Sequence, residues 1–335
     1  MRNFIFITGA GRCGTNVIRG LIDGHKEVNV VPGELNIIPH YNNSSNFNSK
    51  KKYLERLFRS FLRQIPYEKK SLKKNLEKKI INLKNKKNFV DDFEQMINLF
   101  FPNKKKYVLI NTQNENIDFL KKIFKNCKII HMLRNPLTQI NSRYLFRFRS
   151  VSNNFRGNEF TNSFKRNYLS FEQANLYKRN TQVKIIKMEQ LLTNTHKVLD
   201  NITKFLKIKK IKKLELTEME GKFISSLNGK ILVTKFINRN INKDYSNLLP
   251  NDLYYCSLIN SARKFYNYPK FKKTSNNFIL YFLRHMGFIG KHREISFNPY
   301  IIFKRIIYTI INYSVDKKGK IEFEIFLKKK NEKKN

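Results

Sequence analysis

Four consecutive apolar residues, Phe4-Ile5-Phe6-Ile7, run into Gly9-Ala10-Gly11-Arg12-Cys13-Gly14-Thr15. This junction limits the folds open to the chain more than any other feature. A short aromatic and β-branched run with no polar alternation is the pattern of a strand covered on both faces. The glycines that follow suit a tight turn, and a helix is expected over 16–23 with Gly24-His25 as its stop. The same alternation continues down the chain. Strands are expected at 28–31, 107–110, 128–133 and 183–188, and helices at 117–124, 137–149, 164–179 and 195–206. Strands alternating with helices predict an α/β fold, a central parallel sheet flanked by helices. No internal repeat is found.

A glycine turn between a buried strand and a helix is an anion site, because backbone N–H groups and the helix N-terminus face the ligand. Three templates compete for it. Gly9, Gly11 and Gly14 fit the spacing of a dinucleotide fingerprint, with Glu34 about 20 residues on, but Arg12 puts a full charge into a turn that normally relies on backbone. Gly9 and Gly14 also fit the front of a triphosphate loop, yet Thr15 stands where that loop needs its lysine. The third template has a basic residue inside the glycines and a hydroxyl after the last one. Gly11-Arg12-Cys13-Gly14-Thr15 resembles this 5′-phosphosulfate loop of the PAPS-dependent sulfotransferases. The family usually has Ser at the position of Cys13 and Ser or Thr at that of Asn16.

A second motif agrees. Strand 128–133 ends in Arg134-Asn135-Pro136, and Ser142 follows eight residues after Arg134. This resembles the family's second signature, in which the Arg and the Ser hold the 3′-phosphate of the donor. Pro136 suits the first position of a helix, and a planar guanidinium suits bidentate phosphate contact. The segment 183–192 (VKIIKMEQLL) is similar to the family's strand followed by x-E-x-L, 198–206 to the helix after it, and 248–268 to a closing helix. The resemblance implies a P-loop-like, three-layer fold over about residues 1–270. It further implies sulfuryl transfer from PAPS without a metal, and a donor site of Gly11, Arg12, Cys13, Gly14, Thr15, Asn16, Arg134 and Ser142.

Sulfuryl transfer to a hydroxyl or amine needs a base and positive charge on the leaving phosphate. Glu34, in Pro32-Gly33-Glu34, follows the second strand and resembles the basic Glu of the tyrosylprotein sulfotransferases; with Arg12 it is the expected catalytic pair. His40 is the next candidate for a base. His25, in a turn, and His131, inside a strand, read as structural. The family often carries a Lys after the strand at 107–110, but here the turn is Asn111-Thr112-Gln113-Asn114. Either Arg12 carries more of that charge, or Lys230 or Lys235 is the expected substitute. The acceptor, a carbohydrate, a lipid-linked glycan or a peptide, is not readable from these residues.

Charge enters as a competing explanation. Lys and Arg number 67 against 25 Asp and Glu, a net +42, which invites a nucleic-acid partner. Residues 1–50, however, carry five basic and three acidic residues; the excess sits in tracts such as Lys50-Lys51-Lys52 and Lys104-Lys105-Lys106, which read as solvated faces that also favour an anionic substrate. No nucleic-acid motif accompanies them. A kinase or dinucleotide oxidoreductase on the same core, and a non-enzymatic protein binding nucleic acid or a membrane surface, stay open as alternatives. Cys13, Cys127 and Cys256 are too far apart in sequence for a disulfide framework or a C-x-x-C zinc site.

Residues 42–106 read as a variable helical insertion, with periodicity at 53–65 and 72–83. Residues 271–335 read as a basic amphipathic extension outside a 1–270 catalytic domain. Its stretches 278–288 and 300–313 are apolar but studded with Arg and Lys, and the stripe Ile302, Phe303, Ile306, Ile307, Ile310 and Ile311 suits either packing on the domain or an anionic membrane surface. The opening MRNFIFITGAGRCG has no signal-peptide core. A cytoplasmic protein is expected, with peripheral contact at the inner membrane surface through 278–313.

Overall fold

The computed structural model describes residues 3–31, 33–37, 41, 56, 59, 74–78, 88–103, 105–112, 116–139, 142, 158–211, 215–216, 231–232, 278–279, 282–283 and 299–332. Five parallel strands form the central sheet in the order β2-β3-β1-β4-β5. They are β1 (Asn3–Gly9), β2 (Val28–Val30), β3 (Tyr107–Asn111), β4 (Lys128–Leu133) and β5 (Val183–Lys187). In the centre Ile5 pairs with Leu109 on one side and Lys128 on the other, and Gly9 pairs with Met132. The chain visits β2 and β3 on one flank, then crosses to β4 and β5 on the other. That reversal falls between β1 and β4, and at their carboxyl ends a parallel sheet opens its ligand crevice.

Strand alternation divides the core. Phe4 and Phe6 of β1 face one layer, packed with Phe93, Met96 and Ile97 of α2 (Phe89–Phe100) and Ile117 and Leu120 of α3 (Ile117–Ile123). Ile5 and Ile7 face the other layer. There they meet Ile18 and Leu21 of α1 (Thr15–Ile22), Leu191 of α5 (Met188–Thr193), and Leu199 and Ile202 of α6 (Thr195–Leu206). Both faces of the sheet are therefore dry, which is why its strands read as continuous apolar runs. The expected α/β architecture with its parallel sheet is what the structure has.

By its internal contacts the chain divides into two compact units. One comprises Met1–Gly9, Cys13–Leu133 and Leu176–Ile241; the other comprises Ala10–Arg12, Arg134–Asn175 and Asn242–Asn335. The first holds the sheet and, further on, the two-residue strands β6 (Glu215–Leu216) and β7 (Ile231–Leu232), paired antiparallel. In the second, α4 (Asn158–Tyr177) supplies the buried Phe164, Tyr168 and Phe171, and α7 (Pro299–Glu332) supplies the buried Phe323. Helix α2 falls inside the stretch read as a variable insertion, where no helix was assigned to it. Asn88 caps it by accepting from the Asp91 N–H at 3.0 Å. Helix α7 also runs well past 313 into what reads as a charged tail. Most of 42–87, and 248–268, lie outside the described residues.

Candidate active site

The loop after β1 needs two of its glycines for close approach. Gly9 has φ 142°, and a Cβ there would lie 2.4 Å from the Met132 carbonyl oxygen. Gly14 has φ 99°, and its Cβ would lie 2.3 Å from the Met188 sulfur. Any side chain at either position is strained on two counts. Gly14 is also the N-cap of α1 and no side chain caps it, so the first N–H groups of that helix are left to backbone or ligand. Met188 opens the segment likened above to x-E-x-L, and its thioether lies against Gly14. Cys13 and Thr15 are both buried.

In the sheet-bearing unit, Glu34 is fixed by backbone. The Val31 N–H donates to the Leu109 carbonyl and the Leu35 N–H to the Asn111 carbonyl, each at 2.8 Å, so the chain leaving β2 stays tethered to β3. Between them Gly33 turns through φ 70°, and its carbonyl accepts from the buried Arg19 at 3.2 Å. Asn16 Nδ2 donates to Glu34 Oε1 at 3.2 Å, and Asn111 Nδ2 donates to Asn16 Oδ1 at 2.8 Å. Asn111 is fully buried at the end of β3, and its Oδ1 has no hydrogen-bond partner.

In the other unit, three side chains serve the loop's middle. Arg134 donates from Nη1 to the Arg12 carbonyl at 2.9 Å. Arg12 donates from Nη2 to Ser142 Oγ at 3.4 Å. Gln139 donates to the Gly11 carbonyl. Arg134 and Ser142 are buried. The helical turn that carries Gln139 starts at Pro136 and is capped by Asn135, whose Oδ1 accepts the Leu137 N–H at 3.0 Å and whose carbonyl accepts the Gln139 N–H at 3.0 Å. The strand-end Arg and the helical Ser, eight residues apart, thus meet on Arg12.

The structure groups Glu34 with Asn16, and Arg12 with Arg134 and Ser142; Lys230, Lys235 and His40 lie outside the described residues. His25 is structural as expected, with Nε2 3.0 Å from the Lys209 carbonyl and Nδ1 accepting the Glu27 N–H. His131 is buried in β4. Asn111, Gln139 and Arg19 were not anticipated. Asn111 had a signal, since it opens the turn where the usual lysine is missing. A cavity of about 500 Å³ lined by Tyr41, Phe89, Lys122 and Cys127 among others adjoins the starts of β1 and β4, the opposite edge of the sheet from the glycine loop.

A doubly covered parallel sheet whose glycine loop leads into an uncapped helix N-terminus defines a three-layer α/β protein. A family model described as the sulfotransferase family matches residues 4–211, and the chain belongs to that family: it is a sulfotransferase. Among solved structures, the chain is similar to a sulfotransferase domain from the curacin biosynthetic pathway, with 15% identity, 81% of this chain and 99% of that one covered, and a TM-score of 0.51. It is equally similar to a sulfotransferase domain from the olefin synthase of Synechococcus PCC 7002, with 15% identity, 80% and 97% coverage, and a TM-score of 0.51. These two likenesses bear on the fold. No curated protein matches at the sequence level.

Proposed function

We propose that the protein transfers a sulfuryl group from PAPS to a hydroxyl or amine of a carbohydrate, lipid-linked glycan or peptide. The observation that carries this reading is the hydrogen-bonded set Arg134, Arg12 and Ser142 at the end of β4. Arg134 and Ser142 offer a guanidinium and a hydroxyl to a dianion, and both bond to Arg12 of the glycine loop, a pairing that neither a dinucleotide fold nor a triphosphate loop requires. The glycine loop and the uncapped start of α1 suit the 5′-phosphosulfate. Arg134 and Ser142 take the 3′-phosphate.

The acceptor oxygen or nitrogen attacks sulfur in line. The bond from sulfur to the bridging phosphate oxygen breaks, and its electron pair leaves on 3′,5′-ADP. Glu34 takes the acceptor's proton, and Arg12 neutralises charge growing on the leaving phosphate. Asn16, donating to one Glu34 oxygen, orients the carboxylate.

Calorimetry with 3′,5′-ADP and 5′-AMP tests the donor. Charge-assisted bonds to the 3′-phosphate contribute about 1.5–3 kcal/mol each, so 3′,5′-ADP should bind at least about tenfold more tightly. Equal affinities would remove PAPS from the reading.

A further inference from the structure

Among its described residues, helix α7 has apolar side chains on two opposite sides, Phe323 buried on one and Phe303, Ile307, Ile310 and Ile311 exposed on the other. Its inner side docks on α4. Phe323 is buried and stacks on Phe326 at 6.2 Å, Phe326 meets the Tyr168 ring edge-on at 6.0 Å, Lys165 Nζ lies 4.7 Å over the Phe326 ring, and Lys330 pairs with Glu172 at 3.8 Å. Phe303, Ile307, Ile310, Ile311, Ile321 and Ile325 are all 40% exposed or more. Their spacings of four, three, one, ten and four residues keep them within about a third of the helix circumference. Phe323, two residues after Ile321, is about 200° round the helix from it. They therefore lie on the side opposite Phe323 in two patches, Phe303–Ile311 and Ile321–Ile325, with the exposed Ser314 and Lys318 of the same face between them.

Exposed apolar patches rimmed by charge mark a docking face, and charge selects its occupant. Residues 299–332 carry eight basic and four acidic residues, in a chain of net charge +42. A second copy would bring two strongly cationic surfaces together, whereas an anionic surface would be drawn in. The helix is not a membrane span: no helix among the described residues is long and apolar enough to cross a bilayer. We propose that α7 is an interfacial helix whose outer stripe seats on the headgroup–acyl boundary of an anionic lipid bilayer, with its lysines and arginines among the headgroups.

The test is sedimentation of the full-length protein with phosphatidylglycerol vesicles and with phosphatidylcholine vesicles. The comparison protein is the quadruple variant Phe303→Ser, Ile307→Ser, Ile310→Ser, Ile311→Ser. All four positions are exposed, so the fold should survive, and circular dichroism verifies that. The wild type should bind the anionic vesicles and retain part of that binding at half-molar salt, while the variant should bind at least about tenfold more weakly. The lysine tracts, intact in the variant, control for adsorption by charge alone. Equal binding by variant and wild type, or no binding by the wild type, overturns the proposal. So does a wild-type dimer that the variant loses while neither protein binds vesicles, which would assign the stripe to a second copy.

Discussion

Glu34 and Asn111 are 77 positions apart in the chain, yet one amide, Asn16, joins them. That arrangement separates basicity from position. In Glu34→Gln the carbonyl oxygen of the new amide can still accept from Asn16, so the side chain keeps its place and loses its proton affinity. Turnover should fall by about 10²–10⁴-fold, with 3′,5′-ADP affinity changed by less than about threefold. Near-normal turnover measured by sulfate transfer would place the base elsewhere, with His40 next to examine. Glu34, Asn16, Arg12, Arg134 and Ser142 could be proposed from sequence because each sits in a local pattern of turn, strand end or helix start. Asn111 was not, because its role depends on β3 lying beside β1, and nothing local in sequence records which strands are neighbours. In the turn after β3 the resemblance calls for a cation, and an asparagine does not answer that description. Gln139 was missed for a related reason, since its carbonyl partner is 128 residues away.

At the scale of elements, β4 and α6 have the bounds that periodicity predicts, and α1 lies within one residue of its expected start and stop. Their signals are strong because every layer of the core is apolar and the stops are glycine or an αL residue such as Lys207. Helix α2 hid inside a Lys- and Asn-rich stretch, although its buried face is plain once Asn88 is seen as its cap. Helix α7 was cut short because lysines and glutamates read as a tail. They are good helix formers, and Phe323 and Phe326 supply the burial that fixes the helix. The loop–α1 junction gives the prediction at this scale. Gly14→Ala must hold φ near 99° and drive a methyl group into the Met188 thioether. Urea unfolding should show a loss of about 1–3 kcal/mol, and 3′,5′-ADP binding should weaken with it. An unchanged midpoint would mean the loop has another conformation.

Across the whole molecule, the parallel α/β class was legible from the alternation of strands and helices, but the order β2-β3-β1-β4-β5 was not. Several orders bury the same residues, and only right-handed crossovers and lateral packing choose among them. The two-sided burial has a consequence at high pH. Cys127, at the start of β4, is pushed up to about 12, chiefly by burial, with its own backbone hydrogen bond and Lys121 acting the other way. In the unfolded chain the thiol ionises near 9. The native thiol keeps its proton up to about 12, so its contribution to stability is complete below pH 9 and is lost as pH rises towards 12. Denaturant midpoints should therefore fall less steeply over that range in Cys127→Ala than in the wild type; parallel curves would show the thiol to be solvated. The order of the strands also bears on the loop between β1 and α1. In a planar trans peptide the carbonyl and the N–H point in opposite directions. Gln139 and Arg134 claim the carbonyls of Gly11 and Arg12, which turns the N–H groups of the same two peptide units, those of Arg12 and Cys13, the other way. An arriving anion then meets dipoles aligned in advance. If the loop takes the 5′-phosphosulfate as proposed, it gives up little conformational freedom on binding, and only a small ordering penalty reduces the affinity.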